Sequence, residues 1–174
     1  MAHSIELLLD AGSETAIRRL WAALADAGLP SQLSNTSPSN RPHVSVVVAA
    51  RIAADVDELL QPLVSRLPIC CLIGAPLLFG GPRVTLARLV LPSTALLALH
   101  ADIYDTCLPH LSPEAFAHTA PTDWTPHVTL CRRMDPAQLA EALTIIKDLT
   151  QDIRAEFVAI RRWDGDQHIE RRIR

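Results

Sequence analysis

One tetrapeptide occurs twice in this chain, Pro42-His43-Val44-Ser45 and Pro126-His127-Val128-Thr129, each time opening a run of strand-forming apolar residues. Proline cannot donate to a sheet ladder, so each copy marks the entrance of a strand. Side chains two apart on a strand share a face. His43 and Ser45 are therefore predicted on one face, with Val44, Val46 and Val48 on the other. By the same parity His127 aligns with Thr129, while Val128 and Leu130 turn to the core. Two strands about half a chain apart thus each offer an imidazole beside a hydroxyl, which constrains the fold to two similar halves around a shared site.

The periodicity around these strands is alternating. Ile5 to Leu9 is predicted as a strand, followed by a helix begun by Ser13 with Glu14, carrying Ile17, Leu20, Trp21 and Leu24 on one face and ended by Gly28 and Pro30. Ser31 to Asn40 is polar loop leading into the first histidine strand. A helix over Ala54–Ser65 precedes strands at Ile69–Ile73, Leu77–Phe79 and Val84–Val90, with Gly80-Gly81-Pro82 as a turn in an antiparallel meander. The second half repeats the order: a helix over Ser93–Cys107, a loop to Pro126, the second histidine strand, a helix over Pro136–Leu149, a strand over Glu156–Trp163 and an edge strand over Ile169–Ile173. No Gly/Ser or charged linker divides the halves, so residues 1–174 are expected to form a single domain of two similar lobes sharing one cleft.

A chain of 174 residues can bury a sizeable core. Its net charge of -3 argues against a broad electrostatic grip on long duplex nucleic acid. Cys70, Cys71, Cys107 and Cys131 form no paired framework and suit a reducing compartment. The N-terminus lacks the basic and apolar regions of a leader, and no run is long enough to span a membrane, so the expected location is cytoplasmic and the expected state a monomer.

The paired His43-Val44-Ser45 and His127-Val128-Thr129 resemble the two H-x-[ST] motifs of the 2H phosphoesterases, a superfamily that includes 2′,3′-cyclic nucleotide phosphodiesterases and 2′-5′ RNA ligase-like proteins. The resemblance implies an α+β fold: a bilobed, pseudo-twofold arrangement of two antiparallel sheets flanked by helices, with a central cleft. It also implies hydrolysis or transfer at a phosphodiester without metal or other cofactor, on a small nucleotide or RNA end. His43 and His127 would be the catalytic pair and Ser45 and Thr129 the phosphate-binding hydroxyls. The chemistry agrees, since opening a cyclic phosphate takes a base on the attacking water and an acid at the leaving oxygen. Imidazole, with an ordinary pKa of about 6.5, serves both roles near neutrality. Ser45 stands where the family more often has Thr, which keeps the hydroxyl but frees its rotamer. The same fold running the reaction backwards would join RNA ends, and a binder without turnover is the remaining alternative.

Further candidates surround the motifs. Trp124 and Trp163 are candidates to stack on a base, each in competition with a packing role. Arg41 flanks the first histidine strand and is a candidate for substrate contact, as are Arg161 and Arg162 from the last long strand. Arg132 falls by strand parity with Val128 and Leu130, away from the catalytic face. His3, His100, His110, His118 and His168 are expected to be structural or solvated, and His110 and His118 do not have metal-ligand spacing.

Overall fold

The computed structural model describes residues 2–149 and 151–174, with the side chain of Glu114 outside the described set. In chain order it runs β1 (His3–Leu9), α1 (Ala11–Asp26), β2 (His43–Ile52), α2 (Val56–Leu60), β3 (Ile69–Phe79), β4 (Val84–Val90), α3 (Thr94–Cys107), β5 (Leu111–Ala115), β6 (His127–Met134), α4 (Pro136–Ile146), β7 (Ile153–Asp164) and β8 (Ile169–Arg172). The class is α+β with antiparallel pairing throughout, as expected.

The expected pair of separate sheets is instead one hydrogen-bonded sheet of eight strands, seven of them in the order β5-β2-β1-β7-β3-β4-β6 and the eighth, β8, paired with β7 off this path. The reason lies in β7, which is long enough to serve both wings. Its N-terminal part, Ile153 to Phe157, pairs with β3, while Arg161 to Asp164 pair with β8 along the same edge. The order is close to palindromic, with β2 and β6 as outer counterparts, β1 and β4 next, and β7 and β3 at the centre. The third strand of each half has therefore crossed to the first strand of the other half: β7 lies on β1 and β3 on β4. Although four strands separate β2 from β6 in the ladder, the two approach within 8 Å, so the sheet curls its histidine strands toward each other.

Helix α1 is capped by Asp10, whose carboxylate accepts from Ser13 N at 3.0 Å and from Ser13 Oγ at 2.6 Å; the predicted cap, Ser13, is a buried first-turn residue. Gly28, at φ +74, ends it, with Leu29 N donating to Leu24 O at 3.0 Å, the closure a left-handed glycine allows. The predicted second helix tightens into a 3-10 turn over Gln61–Arg66 because Pro62 cannot supply the amide an α-turn needs. The predicted fourth helix ends likewise, in a 3-10 turn over Lys147–Leu149. Strands predicted at Ile69–Ile73 and Leu77–Phe79 are one strand, with a register shift between Ile73 and Pro76 absorbing the interruption. The predicted loop after α3 contains β5, which pairs with the far end of β2. The core joins Ile5, Leu7 and Leu9 of β1 to Val44 and Val46 of β2, Val128 and Leu130 of β6 and Ile17, Leu20 and Leu24 of α1. Each such fully buried aliphatic is worth about 1.5–3 kcal/mol.

Candidate active site

His43 and His127 open β2 and β6, as the prolines before them dictate, and both line one cleft of about 620 Å³ together with Ser45 and Thr129. The two imidazoles are held alike. His43 Nδ1 lies 2.7 Å from Arg41 O, and His127 Nδ1 lies 2.7 Å from Thr125 O. A carbonyl can only accept, so each Nδ1 carries the hydrogen, and the protonation state of each ring is decided at Nε2. Neither the Ser45 nor the Thr129 hydroxyl has a partner among the described residues.

Both histidine strands bulge at the same distance from their histidine. In β2, Glu6 faces Ser45 but Ile5 faces Val47, and in β6, Ala87 faces Thr129 but Leu86 faces Cys131. Val46 with Val47, and Leu130 with Cys131, are accordingly consecutive buried residues. A bulge inserts one residue and reverses parity beyond it. Val48 and Arg132 are thereby returned to the cleft face, and both line the cleft. This corrects the placement of Arg132 on the core side, which assumed an unbroken alternation.

The backbone carbonyls just before the two bulges accept indole hydrogens from opposite parts of the chain. Trp124 Nε1 donates to Ser45 O at 2.9 Å, and Trp21 Nε1, from α1, donates to Thr129 O at 3.0 Å. Trp124 is buried, with one face stacked on the buried His100 ring at 3.8 Å and 10°. Its edge reaches the cleft lining. Trp163 is half-buried in the cleft wall. The guanidinium of Arg41 points away, pairing with Glu14 of α1 at 3.0 Å; what Arg41 gives the site is its carbonyl. Arg161 and Arg162 are engaged by carboxylates, Arg161 by Glu6 and Glu170 and Arg162 by Asp57. Phe79, which sequence patterning treated only as part of a strand, sits with its ring 4.5 Å from that of His127. It faces the cleft as Trp163 does from the central counterpart strand.

The proton affinities at the site are uneven. Burial pushes the His127 pKa below the ordinary imidazole value, the hydrogen bond to Thr125 opposes this, and the charges of Arg132 and His43 add to the fall. Glu6 lies 3.5 Å from His43 Nε2. Burial works against its ionisation, but the charges of His43 and Arg161 and the hydrogen bonds from Ser4 and Arg161 outweigh burial, and its pKa lies below the usual carboxylate value.

His3, Asp164 and Asp166 are a second titratable cluster, with His3 Nε2 3.3 Å from Asp164 and 3.2 Å from Asp166. Ile52 N donates to His3 Nδ1 at 3.3 Å, which leaves the hydrogen on Nε2 pointing at the carboxylates. In that tautomer the cluster ties the turn between β7 and β8 to β1 and offers no imidazole lone pair to a cation.

A family model described as the 2′-5′ RNA ligase superfamily matches residues 48–168. The chain belongs to this superfamily. The match contains the second motif and begins beyond His43, so the first motif is tied to the second by the geometry above. Among solved structures, Escherichia coli LigT complexed with NADP+ is similar over 98% of this chain and 91% of that one, at 14% identity and a TM-score of 0.54. Kluyveromyces marxianus Usb1 is similar over 99% and 97%, at 10% identity and a TM-score of 0.50. Usb1 with uridine monophosphate covers 99% and 96%, at 9% identity and 0.53. At these identities the likeness establishes the superfamily fold. No curated protein gives a significant sequence match.

Proposed function

We propose that the protein is a metal-independent 2H-type phosphoesterase that opens a 2′,3′-cyclic phosphate, or cleaves a 2′-5′ phosphodiester, of a nucleotide or short RNA end, its two halves folding as one domain around the cleft. The observation that carries this reading is the matched pair of imidazoles, each oriented by a carbonyl on Nδ1 and lining one cleft beside an unpartnered hydroxyl. One neutral Nε2 takes a proton from water as the water oxygen bonds to phosphorus. The bond from phosphorus to the ribose oxygen breaks, and the other ring, as imidazolium, supplies the proton that oxygen needs. The products are a phosphomonoester and a free ribose hydroxyl. Ser45 and Thr129 donate to the non-bridging oxygens, and Arg132 adds a charge on the His127 side. Trp163 and Phe79 provide aromatic surface for a base.

The test is an assay, with excess chelator, of the 2′,3′-cyclic mononucleotides and a 2′-5′ dinucleotide with wild type, His43→Ala and His127→Ala. Turnover by the wild type that falls about 10²–10⁴-fold in each variant is expected. Activity that survives either substitution, or that requires metal, would overturn the reading. The superfamily's description favours one further measurement, the joining of cyclic-phosphate and 5′-hydroxyl ends, which is the same chemistry in reverse.

A further inference from the structure

The two halves of the cleft are not chemically equal, and the ladders show where they differ. On the cleft face of one wing, Ser45 of β2 faces Glu6 of β1, which faces Arg161 of β7. On the other wing, Thr129 of β6 faces Ala87 of β4, which faces Leu77 of β3. Flanking positions correspond in kind, Ser4 with Thr85 and Trp163 with Phe79, all four in the cleft wall. The centre of one wing thus holds a buried carboxylate and guanidinium, and the centre of the other an alanine and a leucine.

We propose that Glu6 is a positioning residue that breaks the symmetry of the histidine pair: its carboxylate holds His43 as the imidazolium that protonates the leaving oxygen, leaving His127 as the base. The assignment of roles rests on the phosphoesterase reading, whereas the coupling of Glu6 to His43 does not. Glu6 is well placed for this. Ser4 Oγ donates to Oε1 at 2.6 Å, Arg161 Nε donates to Oε2 at 2.6 Å, and Oε1 is the oxygen 3.5 Å from His43 Nε2. A carboxylate fixed by two donors and almost without solvent cannot turn away from the ring beside it.

The other charges around His43 do not supply the same effect. Arg161 of β7 is neutralised by Glu6 and by Glu170 of β8, and it also donates to Ser39 O at 2.9 Å. Arg41 is turned to Glu14 of α1. Across the cleft on β6 lie His127 and Arg132, both of which disfavour a positive His43 when charged. Glu6 is thus the carboxylate that faces His43 Nε2 and favours charge there. On the opposite wing no carboxylate occupies the position of Ala87, and burial together with Arg132 disfavours charge on His127. The proton inventory closes over a cycle. His127 gains the proton of water, His43 loses one to the ribose oxygen, and exchange with solvent resets both.

Histidine-selective NMR titration of the protein without substrate tests the coupling directly. In Glu6→Gln the His43 midpoint is expected to move to lower pH by about one unit. The His127 midpoint should rise, because less charge sits on His43. Ser4→Ala, a milder change that still reports if loss of the buried Glu6 charge prevents folding, leaves Oε1 with His43 as its remaining partner and should move the His43 midpoint the opposite way. In kcat/KM the alkaline limb, which reports the acid, should follow the His43 midpoint in each variant, whereas a purely structural loss would scale the whole profile without moving its limbs. An unmoved His43 midpoint in both variants, or His43 and His127 shifting in the same direction, would overturn the proposal. Titrations that shift as expected in a protein that turns over no cyclic phosphate would keep the coupling and remove the phosphoesterase reading with its assignment of roles.

Discussion

Replacing Trp124 by Phe separates two meanings of a tryptophan beside a nucleotide-sized cleft. If the ring serves as a stacking platform, Phe keeps a flat apolar face and binding suffers little. The structure instead makes the indole hydrogen the feature of consequence, because it satisfies Ser45 O at 2.9 Å where the bulge has opened the β2 ladder. Removing it leaves a part-buried carbonyl without its donor, a loss of about 1–3 kcal/mol. For a domain of this size that corresponds to a fall of about 2–12 °C in Tm. Ser45 and, two residues earlier, His43 ride on the released segment, so kcat should fall about tenfold or more through misalignment. KM for a cyclic mononucleotide should change less than about threefold. Trp21→Phe should act similarly through Thr129 O. Differential scanning calorimetry with steady-state kinetics on the four forms of the cycle would measure both effects and their coupling. An unchanged Tm with a tenfold rise in KM would refute the reasoning and return Trp124 to a substrate-stacking role.

Other consequences can be checked with the same material. Arg132→Ala should lose about 10–100-fold in kcat/KM, the value of a charge-assisted contact to phosphate, with little change in urea midpoint because the side chain is exposed; a large stability loss without a kinetic effect would contradict its place on the cleft face. Arg88 is fully buried, with Nη2 donating to Ile73 O at 3.3 Å and Gln151 O at 3.0 Å and Nε donating to Gly74 O. Arg88→Ala should cost about 3–5 kcal/mol in denaturant unfolding. The His100 and His127 pKa values are both lowered chiefly by burial, so the unfolded chain takes up protons at these positions before the folded one does. The stability contributed by these two histidines is therefore complete above about pH 6.5 and should fall as the pH drops from there through the folded values, with Glu6, also lowered, adding a further loss below the ordinary carboxylate range. Thermal unfolding followed from about pH 6.5 to about pH 4 should show a falling Tm, and a Tm that rose over that range would contradict the assignment.

Much of the site was legible because strand geometry is local. The order of elements followed from period and punctuation, with errors where a neighbour decided the outcome: Asp10 caps α1 because its carboxylate reaches Ser13, and Pro62 turns the second helix into a 3-10 segment. Motif parity placed His43 with Ser45 and His127 with Thr129 correctly because only two residues of extended backbone intervene.

What the chain alone determined, then, is a pair of strand entrances that each present an imidazole and a hydroxyl, since covalent alternation and a preceding proline suffice for that. The bulges that return Arg132 to the cleft depend on registers with β1 and β4, and those registers are settled by long-range packing. The indoles that hold the two strands lie 79 and 108 residues from their acceptors, and Arg161 lies 155 from Glu6. The crossing of β3 and β7 between halves decides which side chains flank each histidine, so a sequence nearly symmetric in its motifs becomes a cleft with Glu6 on one side and Ala87 on the other. Contacts of that sequence separation exist only once the sheet has closed, because no local propensity distinguishes the partner a strand will find.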